Sequence, residues 1–133
     1  MKTLKIRAIV DGHAKGEIIY SAQPIAFLQG VDTEKGSVSD PKSPIFDQPF
    51  AGKILVFPNT VGSSVGAYVI YRLKKNRKAP KAIVNQTTDI ITASGCAIAG
   101  IPLFDLPENA ISELSSAKEV VLDTKKSELI IEK

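Results

Sequence analysis

The period of the hydrophobic pattern changes along the chain. Leu4, Ile6, Ala8 and Val10 alternate with Lys5 and Arg7, a period of two that predicts a half-buried strand over residues 3–10. Asp11-Gly12-His13-Ala14-Lys15-Gly16 reads as a turn, and Glu17-Ile18-Ile19-Tyr20 as a second strand. Pro24–Leu28 is short and apolar, and leads into a turn-rich loop, Gln29–Gly36. Pro41, Pro44 and Pro49 argue against a regular element within 40–52.

In the centre the alternation gives way to an unbroken apolar run, Ile54-Leu55-Val56-Phe57, the pattern of a strand covered on both faces. Beyond it, Val65, Val69 and Leu73 recur at helical spacing. They predict a helix over Ser63–Leu73 that tails off near Lys75, with Ser63 or Ser64 as N-cap. Ala79-Pro80 ends that element, and Ala82-Ile83-Val84 reads as another buried strand. The small-residue stretch Thr92–Gly100 has room for a short helix, and Ile101–Phe104 for a strand. Pro107 sits near the first turn of a further short helix. Val120–Asp123 and Glu128–Ile131 close the chain as a hairpin turning through Thr124–Ser127. The whole predicts a mixed α/β architecture, one sheet layered on a second with few helices, in a single domain spanning 1–133.

Composition narrows the function classes. A hydrophobic fraction of 44% supports a true core rather than a disordered tail. No apolar run approaches the ~18 residues of a membrane-spanning helix, and the basic start Met1–Arg7 is followed by no apolar signal core. A cytoplasmic protein without a membrane partner is expected. Net charge is +3, with Lys74, Lys75, Arg77, Lys78 and Lys81 clustered. Such a cluster suits a solvated helix end or an acidic partner. Nucleic-acid binding asks for a broader basic face with stacking aromatics, and the chain has no Trp. One cysteine, Cys96, and one histidine, His13, exclude an internal disulfide. They also fall short of the about four ligands of a structural zinc site or the about three to four cysteines of an iron–sulfur cluster. Any such cofactor has to come largely from a partner.

The chemistry concentrates in Gly62-Ser63-Ser64. A strand, a glycine-serine turn and a helix start fall in one window there, which aims backbone N–H groups and hydroxyls at one point. Three readings are open: a helix cap, an anion site, or a catalytic serine whose alkoxide the helix N-terminus stabilises. The G-x-x-x-x-G-K-[ST] phosphate loop is absent. So are a G-x-S-x-G elbow and a convincing triad, which argues against a hydrolase. Asp11-Gly12-His13 offers acid–base groups, but a turn explains its Asp and Gly better. Gly30-Val31-Asp32 is either a turn or a loop that aims a carboxylate at a ligand or partner. Cys96, among Ala and Gly, reads as a small buried residue, and Asp89 as a cap or a site residue.

Several segments together resemble the small subunit of the aconitase X family, in its stand-alone archaeal form. They are Gly12-x-Ala14-x-Gly16, Ser21-x-x-Pro24-Ile25-x-Phe27, Gly30-Val31-Asp32, Gly52-Lys53-Ile54-Leu55-Val56-Phe57-Pro58, Gly62-Ser63-Ser64-Val65-Gly66, Ala79-Pro80-x-Ala82-Ile83-Val84 and Gly100-Ile101-Pro102, in family order from about residue 12 to residue 104. The resemblance implies a swivelling β/β/α fold, barrel-like, and a heterodimer with a large subunit that holds a [4Fe-4S] cluster. It implies dehydration of (R)-5-phosphomevalonate to trans-anhydromevalonate 5-phosphate in an archaeal mevalonate route to isoprenoids. Ser63 would be the base that removes the proton alpha to the carboxylate, with the cluster iron as Lewis acid on the departing hydroxyl. Gly62, Ser64 and the adjacent N–H groups would hold anionic substrate oxygens.

The chain departs from the family at Ala26, where a serine is usual, at Gln29-Gly30, usually Gly-Gly, and at Pro41-Lys42-Ser43, where a histidine often stands nearby. The serine turn itself is intact. Two alternatives stand beside this reading: a hydroxyproline dehydratase of the same family, and a non-catalytic binding or regulatory domain that uses the turn only as a cap.

Overall fold

The computed structural model describes residues 2–132. Eight of its strands join in one sheet, ordered β1-β10-β9-β3-β6-β7-β8-β2, from β1 (Lys2–Lys5), β2 (Arg7–Val10), β3 (His13–Tyr20), β6 (Ile54–Val56), β7 (Ala82–Asn85), β8 (Leu103–Asp105), β9 (Glu119–Asp123) and β10 (Glu128–Glu132). The outermost strands, β1 and β2, are consecutive in the chain and separated only by Ile6, so the sheet nearly closes into a barrel. The run over 3–10 is thus two strands, not one. Its alternation is continuous, yet Leu4 pairs with Leu129 of β10 and Ala8 with Phe104 of β8.

The two layers expected from the sequence are two halves of this curved sheet. β3 belongs to both. His13–Glu17 pair antiparallel with β9, and Ile18–Tyr20 pair parallel with β6. His13–Gly16 are therefore strand, and the turn shrinks to Asp11 and Gly12, because the backbone ladder to β9 overrides the weak strand propensity of Gly16.

The antiparallel half, β1, β10 and β9, sends Leu4, Val120, Leu122 and Leu129 inward. The parallel half, β6, β7 and β8, is buried on both faces, which accounts for its unbroken apolar runs. Ile54, Val56, Ala82, Val84 and Phe104 face the barrel interior. Leu55, Phe57, Ile83 and Leu103 face the second core, under helices α2 (Gly66–Lys75) and α3 (Ile90–Ala99). The loop from 24 to 50 completes that core. It contributes Phe27, Val38, Ile45 and Phe50 and carries one kinked turn, α1 (Phe27–Gly30), and a small hairpin, β4 (Val31–Asp32) with β5 (Ser37–Val38). Residues 40–52 hold no helix or named strand, as the prolines require. A short helix, α4 (Glu108–Ile111), and a 3-10 turn (Ser112–Ser116) bring Ile111 and Leu114 to one end of the barrel core.

α2 and α3 pack closely because Gly95 carries no side chain. A Cβ there would lie 3.1 Å from Cα of Ala67 and 3.2 Å from its carbonyl oxygen.

Candidate functional site

β3, β6, β7 and β8 point the same way, so the segments leaving their C-terminal ends gather on one edge. Open α/β sheets bind ligands at such an edge. The segments are Ser21–Ala26, Phe57–Val65, Gln86–Asp89 and Leu106-Pro107.

Hydrogen bonds clamp the base of the serine loop from both sides. Val61 N–H donates to the Ile25 carbonyl at 3.1 Å, and Ile25 N–H to the Asn59 carbonyl at 3.2 Å. On the other flank, the Pro58 carbonyl accepts from Gln86 N–H at 2.9 Å and Thr87 N–H at 3.1 Å. Buried Asn85 donates its Nδ2 to the Phe57 carbonyl at 3.0 Å, and Thr92 Oγ1 donates to Thr60 Oγ1 at 2.8 Å. The tip beyond the clamp, Gly62-Ser63-Ser64, is exposed. Gly62 turns the chain with φ of 103°, a left-handed conformation that disfavours any side chain.

The helix does not begin at the serines. α2 starts at Gly66, and Val65 is its N-cap residue with no side-chain cap. The expected cap by Ser63 or Ser64 is not formed. Ser63 instead accepts at its hydroxyl from Val65 N–H at 3.1 Å, two residues on, while its carbonyl accepts from Gly66 N–H at 3.0 Å. This local turn competes with the helical geometry and delays its start. Among the described residues, the N–H groups of Ser64 and Ala67 find no acceptor. An exposed hydroxyl and unsatisfied N–H groups at a positive helix end together favour an anion or an alkoxide.

The other residues singled out from the sequence lie elsewhere or are occupied. Asp11, Gly12 and His13 are at the opposite edge, separated by the length of β3, eight residues or about 25 Å. There Gly12 N–H donates to Thr124 Oγ1 at 2.8 Å, and that hydroxyl donates back to the Gly12 carbonyl. Asp32 closes the β4–β5 turn by accepting from Glu34 N–H at 2.9 Å and Lys35 N–H at 3.0 Å. The N–H groups of Lys35 and Glu34 hold its carboxyl below the usual range. Asp89 caps α3, accepting from Thr92 N–H at 2.7 Å. Cys96 is fully buried on α3, and burial pushes its thiol up to about 12. Lys74 and Lys75 lie in the last turn of α2, complementing its dipole, and Lys81 Nζ donates to the Lys15 carbonyl at 3.1 Å.

Sequence reading missed Asn85, Thr60 and Thr92, which hold the loop in place. It also missed a bidentate ion pair at the same edge, Arg7 to Asp105 at 2.7 and 3.1 Å, beside an open cavity of about 490 Å³ lined by Gln86, Thr87 and Thr88. The Asp105 hydrogen bond raises the Arg7 guanidinium further above its ordinary value. The available signal was the abrupt polar run Asn85-Gln86-Thr87-Thr88 after an apolar strand. Ala26 is a wall of the site: Cβ atoms built on Gly62 and on Gly30 would each lie 3.6 Å from its methyl group.

No helix among the described residues is long and apolar enough to cross a membrane. No group of three or more His, Cys, Asp or Glu side chains gathers there with metal-binding geometry.

The family model of the aconitase X swivel domain matches residues 3–131. The phosphomevalonate dehydratase small subunit of Thermococcus kodakarensis is 49% identical over 128 residues, 96% of this chain and 95% of that protein. The protein of the same name from Thermococcus onnurineus is 51% identical over 117 residues, 88% of each chain. A crystal structure of Thermococcus kodakaraensis aconitase X in its holo form superposes with a TM-score of 0.94 at 47% identity, covering 100% of both chains. Matched by the family model over nearly its whole length and superposing along its full length on an aconitase X structure, the chain belongs to the aconitase X swivel domain family.

Proposed function

We propose that this chain, residues 1–133 acting as one swivel domain, is the small subunit of a cytoplasmic, heterodimeric hydro-lyase. The enzyme removes water from (R)-5-phosphomevalonate to give trans-anhydromevalonate 5-phosphate in an archaeal mevalonate route. The relatives bearing that subunit name cover about nine-tenths or more of this chain. The observation that carries the reading is the exposed Ser63 hydroxyl at the uncapped start of α2, on a loop held rigid at its base.

Water loss breaks a C–H bond alpha to the carboxylate and a C–O bond on the next carbon, leaving a double bond between them. Ser63 Oγ takes the C–H proton, and hydroxide leaves from the neighbouring carbon. A serine alkoxide is a strong base in need of stabilisation. The helix dipole and the unsatisfied N–H groups of Ser64 and Ala67 supply it, and they hold the substrate's anionic oxygens as well. Gly62 lets the chain turn without a side chain to obstruct the substrate, and the Ser64 hydroxyl adds a donor.

This chain's donors do not fit an iron–sulfur cluster. Its one cysteine is buried in the helix-side core with a thiol pushed up to about 12. The [4Fe-4S] cluster is assigned in this reading to the large subunit.

The test is anaerobic co-expression with a large subunit of the same family from the same organism, followed by assay with phosphomevalonate. The Ser63→Ala complex should assemble normally and turn over roughly 10²- to 10⁴-fold more slowly. Wild-type rates from Ser63→Ala overturn the base assignment. An intact wild-type complex that is inactive on phosphomevalonate overturns the substrate, with hydroxyproline the next to assay. Ser64→Ala should raise KM roughly tenfold, the worth of one hydrogen bond to an anion; unchanged kcat and KM would remove Ser64 from the site.

A further inference from the structure

α3 carries no charged residue in its ten positions, yet it lies at the surface. Ile90 and Ile98 on its outer side are 78% and 73% exposed. A surface helix ordinarily shows a charged outer face; one apolar all round is ordinarily buried. Its neighbour α2 also exposes apolar side chains ahead of its basic last turn: Tyr68 is 76% exposed, and Tyr71 and the preceding Val65 are also open. Ala67, Tyr68, Tyr71 and Ile98 line a groove of about 380 Å³ between the two helices. The apolar surface runs on through Val65 and Val61, which flank the Gly62-Ser63-Ser64 turn. Among the described residues, only Phe46 of the large exposed apolar side chains belongs to another segment. Along its other rim lie Arg72, Lys74 and Lys75, and α2 contains no acidic residue.

We infer that the outer face of α2 and α3 is the seat of the large subunit, which presents an apolar ridge to the Tyr68–Ile98 groove and acidic side chains to Arg72 and Lys75. The inference rests on the proposed function, because a shared dehydratase site requires a partner to cover Ser63. It goes further in assigning the surface. Exposed Val61 and Val65 flank the serine turn in the chain, so a partner that extends from the groove over them would also cover Ser63. Continuity with the site favours the large subunit over a second copy, and the basic rim favours an acidic edge on whatever binds.

The experiment compares complex formation by wild type, Tyr68→Glu, Ile98→Glu and Arg72→Glu/Lys75→Glu with the large subunit of the same organism. Lys126→Glu, in the β9–β10 turn, is the control, and circular dichroism verifies folding. Both apolar-face variants should bind roughly 100-fold more weakly, as expected for hot-spot side chains, and the control should bind as wild type does. The double charge reversal should bind more weakly and lose the salt dependence seen in wild type. Hydrogen exchange in the wild-type complex should slow over 65–75 and 90–98. Binding of both apolar-face variants within about twofold of wild type overturns the interface while leaving the dehydratase reading intact, provided the wild-type complex turns over. Loss of self-association without loss of the complex reassigns the face to a second copy. If the wild-type chain forms no complex, the interface and the proposed function fall together.

Discussion

α2 and α3 both follow loops that leave the same edge of the sheet, and both are ten residues long. Their starts differ. α3 opens on Asp89, whose carboxylate takes the Thr92 N–H at 2.7 Å, and it closes on Gly100 in the left-handed conformation. α2 opens on Val65, which has no side chain able to cap, although two serines precede it. A helix N-terminus leaves about four N–H groups without intrahelical partners, and a cap normally satisfies one or two. The chain spends that device on α3 and withholds it from α2. Serine placement is what makes the difference: shifted upstream of the cap position, the Ser63 hydroxyl stays exposed. The loop below it is nonetheless fixed by hydrogen bonds from Ile25, Gln86, Thr87, Asn85 and Thr92, so the open end is also a positioned one. In this fold a stability site and a candidate chemical site are built from the same local motif, distinguished by where one oxygen points.

If that distinction is right, variants at the two starts should separate activity from stability. Ser63→Ala carries the largest expected effect, the roughly 10²- to 10⁴-fold loss of turnover set out above, about 3–5 kcal/mol of barrier. Its denaturant midpoint should stay near wild type, since water replaces the lost acceptor at an exposed Val65 N–H. A stability loss as large as a cap deletion would turn Ser63 back into a structural residue. Gly95→Val joins the two readouts. Its Cβ would press on Ala67 at 3.1 Å and on Ile70 at 3.1 Å, and Ala67 is backbone that cannot step aside. Overpacking of this kind costs about 1–3 kcal/mol and shifts α2, so stability and turnover should fall together. Asp89→Ala should do the opposite of Ser63→Ala. It should lower stability by about 1 kcal/mol, measured by urea unfolding, while the assembled enzyme retains its turnover. An inactive but stable Asp89→Ala enzyme would make Asp89 part of the chemistry.

The contrast between the two starts was only half visible in the sequence. The strand–turn–helix junction was legible because Ile54–Phe57 is unbroken and Val65, Val69 and Leu73 keep helical spacing. The start of α2 was misplaced by three residues, since serine is a good cap wherever it precedes a helix and only backbone geometry shows which N–H its hydroxyl meets. The hydrophobic period could not reveal that residues 3–10 serve two strand partners. Alternation reports which face is buried, and Leu4, Ile6 and Ala8 bury the same face across both partners; of the alternating set only Val10, beyond a register shift after Ala8, packs with the helix-side core. Near-closure of the sheet is a property of pairing between β1, β2 and strands about a hundred residues away in the chain, for which a single sequence carries no local signal. Asn85 and Thr92 were passed over for the same reason: their partners, Phe57 and Thr60, become neighbours only once β6 and β7 lie side by side.

Asp32 is a third polar residue at a turn, and it sharpens the comparison most gently. Its carboxylate accepts from the Lys35 and Glu34 N–H groups, as Asp89 accepts from Thr92 N–H, whereas the Ser63 hydroxyl takes a single N–H, that of Val65, and stays exposed. Those bonds favour the ionised form, so its folded pKa lies below the unfolded value, ordinarily near 3.8. A group depressed on folding stabilises the native state above its unfolded pKa, and that contribution fades as pH falls through the folded value. Asn at this position keeps an acceptor oxygen but never ionises. The gap in urea midpoint between wild type and Asp32→Asn should therefore be full at pH 6–7. It should narrow below about pH 3.8 and vanish once wild-type Asp32 is protonated in the fold. Turnover of the assembled enzyme should not change at pH 7. A gap that stays constant through the acid range would mean that shape alone, not charge, closes this turn. A loss of turnover would move Asp32 from the turns that hold the fold to the groups that meet the ligand.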